Sequence, residues 1–70
     1  MQTTMVYIGE QLKKQRTLSA LTQEQLALHA GVSTATVARI ERDEIEPRMT
    51  TLRKLADALD VEPRELQPEG

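Results

Sequence analysis

Residues 23–42 read QEQLALHAGVSTATVARIER, and their spacing predicts two short helices joined by a tight turn. Ala27 has almost no side chain, so a second helix can cross close to it. Gly31, four residues later, can adopt a positive φ, which ends the first helix and turns the chain. Val37 and Ile40 are three residues apart, so on a helix they share one face and point inward.

Both helices also have start signals. The run Thr22 to Gln25 fits a capping box, with Thr22 as the N-cap and Gln25 reaching back to it. Ser33 is the expected N-cap of the second helix, which is predicted from about Thr34 to Arg42. Spacing and caps together predict a helix-turn-helix, a motif whose second helix can lie in the major groove of DNA.

The rest of the chain predicts three further helical segments and no strands, so the expected fold is all-α. Their boundaries are Val6 to Leu18, Met49 or Thr50 to Leu59, and a single turn from Pro63 to Leu66. Helical spacing selects an apolar core of Ile8, Leu12, Leu26, Ala27, Ala30, Leu52, Leu55, Ala56 and Leu59, with Leu66 folded back. Ile45 is expected to cover the base of this core from a polar loop. We expect one domain over residues 1–70, with its core at about 8–66 and a frayed tail at 67–70.

Length and composition narrow the class of protein. A chain of 70 residues buries only about 60% of its unfolded surface, so the core is small. The absence of cysteine excludes disulfides and thiolate metal sites and suits a reducing cytosol. No apolar run approaches the roughly 18 residues of a membrane span, and the N-terminus lacks a signal pattern. We expect a cytoplasmic protein with no membrane partner.

The formal charge of −2 is unevenly distributed. Residues 1–42 hold five basic and three acidic groups, a net of +2, whereas residues 43–70 hold four basic and eight acidic groups, a net of −4. DNA contact depends on the local field of one face rather than on the total charge. The asymmetry therefore allows a nucleic-acid partner, although with so few charges chance is the alternative explanation.

A helical wheel of the second motif helix separates two sets of side chains. The inward set is Val37, Ile40 and Glu41. The outward set is Ala35, Ala38, Arg39 and Arg42, with Thr34 at the N-terminal end. A helix in the major groove must be narrow where it is deepest and cationic where it reaches bases or phosphates. The outward set fits that need, and the alternative is an ordinary solvated face.

Three stretches resemble the lambda-repressor and Cro-like helix-turn-helix family of bacterial and phage regulators. They are IGEQLKKQR at 8–16, LTQEQLALHAGVSTATVARIER at 21–42 and EPRMTTLRKLADALDV at 46–61. The resemblance covers about Ile8 to Leu66. It implies a compact five-helix bundle that binds double-stranded DNA through the major groove, usually as a dimer on a palindromic operator.

The resemblance also implies residue roles. The implied base-reading positions are Thr34, Ala35, Ala38 and Arg39. The implied phosphate-contacting positions are Gln23, Ser33, Arg42 and Arg48, of which Gln23 also braces the recognition helix. Arg16 and Glu41 match a buried or half-buried ion pair between the first and third helices.

Two departures from the family pattern modify these expectations. The loop after the recognition helix contains Asp43, Glu44 and Glu46, where the family often has glycine and basic residues. Thr34 and Ala35 replace the glutamine or arginine common at base-reading positions, which leaves thymine methyl contacts and one strong reader, Arg39. We therefore expect a half-site with one essential G·C pair.

Nothing in the sequence predicts catalysis, a cofactor or a metal site. The single histidine, His29, has no cysteine, second histidine or carboxylate cluster with it and is read as a surface residue. The function expected is a small dimeric repressor or controller. Its dimer contact is assigned to the fifth-helix region, Leu59, Val61, Pro63 and Leu66, unless these residues only close the core.

Two other functions stay open. The acidic C-terminal half fits a protein-interaction module, such as an antitoxin or a bridging coactivator, but only about four residues follow Leu66, too few for an arm that wraps a partner. Alternatively, the chain is the DNA-binding part of a longer regulator, with Gln-Pro-Glu-Gly at the start of a linker.

Overall fold

The computed structural model describes residues 7–67. Over this range the chain forms four α-helices and one 3₁₀ turn, with no strand. The helices are α1 (Gly9–Leu18), α2 (Gln23–Ala30), α3 (Thr34–Glu41) and α4 (Met49–Leu59), followed by the 3₁₀ turn Pro63–Leu66. The all-α prediction is confirmed for these residues. The expected fifth helix is a 3₁₀ turn, whose hydrogen bonds from Glu65 N to the Glu62 oxygen and from Gln67 N to the Arg64 oxygen are both of the i to i+3 type.

Two predictions reach beyond the described residues. The predicted start of the first helix at Val6 lies outside them, as do residues 68–70 of the predicted tail. Within the described range α1 begins at Gly9, with Ile8 as its N-cap.

The ends of α2 and the start of α3 have the predicted caps and the predicted glycine turn. The Thr22 hydroxyl accepts a hydrogen bond from Gln25 N at 3.0 Å, and Gln25 Oε1 accepts one from Thr22 N at 2.9 Å. Gly31 ends α2 with φ of 75°, the left-handed conformation that glycine adopts without steric cost. The Ser33 hydroxyl caps α3 by accepting from Thr36 N at 3.0 Å. The helix-turn-helix is therefore built by local contacts.

The core contains every residue that helical spacing selected. Its members, all less than a tenth exposed, are Ile8, Leu12, Leu26, Ala27, Ala30, Val37, Ile40, Leu52, Leu55, Ala56, Leu59 and Leu66. α2 packs against both α3 and α4, while α1 packs against α3 and the 3₁₀ turn. This arrangement fixes α3 between α1 and α2 and leaves its opposite face to solvent.

Two predictions about the end of the core need correction. Ile45 is 37% exposed and does not fill the core, because the 3₁₀ turn packs against both α1 and α4 and supplies the fully buried Leu66 instead. Leu59 and Leu66 are buried in the same core, so they are not available to a partner chain. Of the predicted dimer contacts, only Val61 and Pro63 remain partly exposed.

The start of α1 meets the end of α3 at a contact that sequence analysis missed. A Cβ atom at Gly9 would lie 2.6 Å from the carbonyl oxygens of both Ile40 and Glu41, so only glycine fits there. Gly9 N donates a hydrogen bond to Asp43 Oδ1 at 3.1 Å. The loop acid Asp43 therefore satisfies a backbone donor at the start of α1 and ties it to the chain after α3.

Candidate nucleic-acid interface

The outer face of α3 presents most of the predicted base-reading residues. Thr34, Ala35 and Arg39 are exposed, and Ala38 is half-buried at the edge of the face. Val37 and Ile40 are fully buried on the opposite side. The predicted division of the helix holds, except that Ala38 contributes less surface than expected.

Glu41, the one acidic residue of α3, turns away from this face. Its Oε2 lies 2.6 Å from Arg16 Nε, and its Oε1 accepts from Arg16 Nη2 at 3.1 Å. The Glu41 side chain is 4% exposed and the Arg16 side chain is 14% exposed. The pKa of Arg16 is raised, mainly by this hydrogen bond. The expected ion pair between the first and third helices is present, and within α3, all of which is described, the outer face carries no carboxylate.

The same carboxylate joins further elements. Gln23 Nε2, at the start of α2, donates to Glu41 Oε1 at 3.0 Å. Arg16 Nη1 donates to the carbonyl oxygen of Leu21 at 2.8 Å, in the connection between α1 and α2. Glu41 thus links α3 to α1 directly and to α2 through Gln23, and this network fixes the orientation of the outer face of α3.

Arg42, a predicted phosphate contact, already has a carboxylate partner. Its Nε lies 2.7 Å from Glu44 Oε2, and its Nη2 lies 3.3 Å from Glu44 Oε1. Both side chains are exposed, at 60% and 49%. The hydrogen bond between them is the main cause of a raised pKa for Arg42 and a lowered pKa for Glu44. A phosphate that used the same Nε and Nη2 donors of Arg42 would have to displace this carboxylate.

Two of the predicted phosphate-contacting residues, Ser33 and Arg48, lie at helix starts. Ser33 caps α3, and its hydroxyl also lies 2.8 Å from Thr36 Oγ1. Arg48 is the exposed N-cap of α4. The Arg48 side chain makes no capping hydrogen bond to α4, and no acidic residue lies in the first turn of this helix. The positive dipole charge at the start of α4 favours an anion there.

The remaining polar surface has a different character. A cleft of about 330 Å³ between α4 and the 3₁₀ turn is lined by Asp57, Asp60, Val61, Glu62 and Glu65. Four carboxylates line this cleft, and their charge would repel a polyanion. His29 is exposed, as predicted. In residues 7–67 we find neither a metal-binding cluster nor a helix long and apolar enough to span a bilayer.

Known proteins share this sequence and geometry. The chain is 43% identical over 58 residues to the HTH-type transcriptional repressor RghR of Bacillus subtilis, a match covering 81% of this chain and 43% of the repressor. The restriction-modification controller protein C.AhdI from Aeromonas hydrophila superposes with a TM-score of 0.83 at 40% identity, covering 89% of this chain and 94% of the controller. The P22 c2 repressor protein, crystallised with synthetic operator 9T, superposes with a TM-score of 0.79 at 31% identity, covering 91% and 94% of the two chains.

The curated relatives are longer than this chain. The chain spans less than half the length of the curated relatives it matches. A family model described as helix-turn-helix matches residues 12–66 of this chain. This range includes α2, the turn at Gly31 and α3, whose caps and packing are those of the motif, and the chain therefore belongs to the helix-turn-helix family.

Proposed function

We propose that this chain is a sequence-specific DNA-binding module of a transcriptional regulator, and that α3 is its recognition helix. The observation that carries the proposal is the turn of Glu41 into the protein, where Arg16 and Gln23 hold it. That turn leaves a slim outer face on α3 whose only charge is Arg39. A face of this kind can enter the major groove without repelling phosphate.

Base reading is assigned to the exposed end and centre of α3. Arg39 can form a bidentate contact with guanine O6 and N7. The Thr34 hydroxyl can pair with several bases, and Ala35 or the Thr34 methyl group can pack on a thymine methyl. Ala38, half-buried, serves as a narrow spacer that brings the helix close to the bases. The half-site expected is one G·C pair flanked by thymine methyl contacts.

Phosphate binding is assigned to residues on both sides of α3. Arg48 offers a charge at the start of α4, where the helix dipole is positive. Ser33 and Gln23 lie at the starts of α3 and α2, and helix N-termini favour anions. Arg42 is the fourth contact and acts after it leaves Glu44.

The relatives support regulation as the outcome of DNA binding. One is named a transcriptional repressor, another a restriction-modification controller, and a third was crystallised with an operator. We propose a cytoplasmic repressor or controller without catalytic activity. One 70-residue copy makes few contacts, so we propose a homodimer that places two α3 helices about 34 Å apart. Val61 and Pro63 are the predicted interface residues that remain partly exposed.

Selection from random duplex DNA at low salt tests the proposal. Wild type should enrich a half-site with one invariant G·C pair, and Arg39→Ala should lose the preference at that position only. Arg64→Ala is the matched control, because Arg64 is an exposed arginine of the 3₁₀ turn, away from α3, and it should keep the wild-type consensus. Failure of wild type to bind any duplex at low salt would overturn the proposal, as would a consensus made of adenines alone.

A further inference from the structure

Glu44 occupies an unusual place for an acidic residue beside a DNA-facing helix. Asp43 adopts a left-handed conformation with φ of 60°, which turns the chain back after α3. Glu44 N then donates to the carbonyl oxygen of Arg39 at 2.9 Å, and the Glu44 carboxylate meets Arg42 through two hydrogen bonds. The fold thus places the Glu44 carboxylate against Arg42, the outward arginine that follows α3.

The geometry of this contact is the one a phosphate would use. A carboxylate and a phosphate both accept a pair of parallel N–H bonds from one guanidinium, and here Nε and Nη2 of Arg42 supply them. The pKa of Glu44 is lowered, mainly by the hydrogen bond from Arg42 and further by the charges of Arg42 and Arg39. Because both side chains are about half exposed, the pair can open and exchange partners.

We propose that Glu44 is a built-in competitor of DNA phosphate for Arg42, so that this residue limits the affinity of the chain for DNA of any sequence. The inference rests on the proposed function. Arg42 would otherwise add one phosphate contact to every complex, specific or not. With Glu44 present, a bidentate phosphate contact through Nε and Nη2 of Arg42 requires an exchange of anions. Only duplexes that add base contacts with Arg39 and its neighbours then stay bound at a given salt concentration.

The test measures the DNA affinity of Glu44→Gln and of Asp57→Asn, each on the selected duplex and on an unrelated duplex. The salt concentration is varied between roughly 50 and 200 mM, a range over which phosphate contacts change affinity visibly. Both variants add one unit of charge, but Asp57 lies at the far end of α4 from Arg48. Glu44→Gln should bind both duplexes about two- to fivefold more tightly, the size of one exposed charge pair. Its plot of log affinity against log salt should steepen by about one. Asp57→Asn should match wild type within about twofold.

A double-mutant cycle assigns the effect to Arg42. In an Arg42→Ala background, Glu44→Gln should give no further gain, because no guanidinium remains to be released. A gain that persists in that background would overturn the competition with Arg42, and so would weaker binding by Glu44→Gln.

Glu44→Ser should repeat the Glu44→Gln result, with unchanged thermal melts for both. If wild type binds DNA and Glu44→Gln behaves as Asp57→Asn does, only this inference fails, whereas wild type without DNA binding removes the proposed function as well.

Discussion

Glu41 of α3 accepts two hydrogen bonds from Arg16 of α1, at 2.6 and 3.1 Å, with its carboxylate side chain only 4% exposed. This pair joins the first helix of the bundle to the third. It also removes the only acidic side chain of α3 from the face that we propose enters DNA. The same contact therefore stabilises the bundle and keeps negative charge off the outer face of α3.

Removing the Glu41 carboxylate should destabilise the protein strongly. Glu41→Ala leaves the half-buried guanidinium of Arg16 without its counter-charge, and breaking a fully buried pair costs about 3–5 kcal/mol, which sets the upper end of the expected loss. The free energy of unfolding in urea measures the loss. Glu44→Ala, which breaks an exposed ion pair, is the control and should change the unfolding midpoint little. A Glu41→Ala melt equal to wild type would contradict the structural role of the pair.

Gly9→Ala should lower the free energy of unfolding by about 1–3 kcal/mol, the usual cost of overpacking. The added methyl group would lie 2.6 Å from the carbonyl oxygens of Ile40 and Glu41, and both are backbone atoms that cannot rotate away. The sign is informative, since alanine in a helix is normally better than glycine by roughly 0.5–1 kcal/mol. A higher melting temperature for Gly9→Ala would show that α1 does not approach α3 this closely.

Asp60→Gly should stabilise the end of α4. Asp60 has φ of 59° and ψ of 42°, a left-handed conformation that costs an L-residue with a side chain roughly 1 kcal/mol. Glycine adopts it freely, so thermal unfolding should shift upward. Asp57→Gly, three residues earlier and inside the helix, should shift it downward, because glycine is a poor helix former. Equal effects of the two substitutions would be inconsistent with the left-handed C-cap.

Substitutions at Ser33 can separate capping from phosphate binding. Ser33→Ala removes the cap of α3 and should cost about 1 kcal/mol of stability. Ser33→Asp keeps a capping oxygen, so its thermal melt should stay near wild type, but its charge would meet DNA phosphate. We expect Ser33→Asp to lose more affinity for duplex DNA than Ser33→Ala while being the more stable protein. The reverse order of affinities would place Ser33 away from DNA.

The parts that sequence predicted well depend on neighbours in the chain. The capping box at Thr22, the left-handed Gly31 and the Ser33 cap each need only residues a few positions away, so their spacing in the sequence is sufficient. The parts it missed depend on residues brought together by the fold. The bond from Gly9 to Asp43 spans 34 positions, and no local pattern marks it.

Some side-chain partners and environments could also not be predicted from the sequence. Arg42 was expected to reach a phosphate, but its pairing with Glu44 depends on the left-handed turn at Asp43, which aspartate does not signal as glycine would. Leu59 and Leu66 were predicted for the core and also for the dimer contact, because an apolar pattern fits both. The 3₁₀ turn packs against α1 and α4, and both residues are buried in the core.

The most direct test of the account is an NMR titration of the ¹⁵N-labelled chain with its selected duplex. The account predicts that backbone amide shifts concentrate at residues 33–39 and at the start of α4 near Arg48, with the Arg39 side-chain Nε signal moving as it binds guanine. The amides around Asp57, Asp60 and Glu62, on the acidic cleft, should stay unchanged and serve as the internal control. Shifts centred on that cleft, with those of α3 unmoved, would contradict the assignment of α3 as the recognition helix.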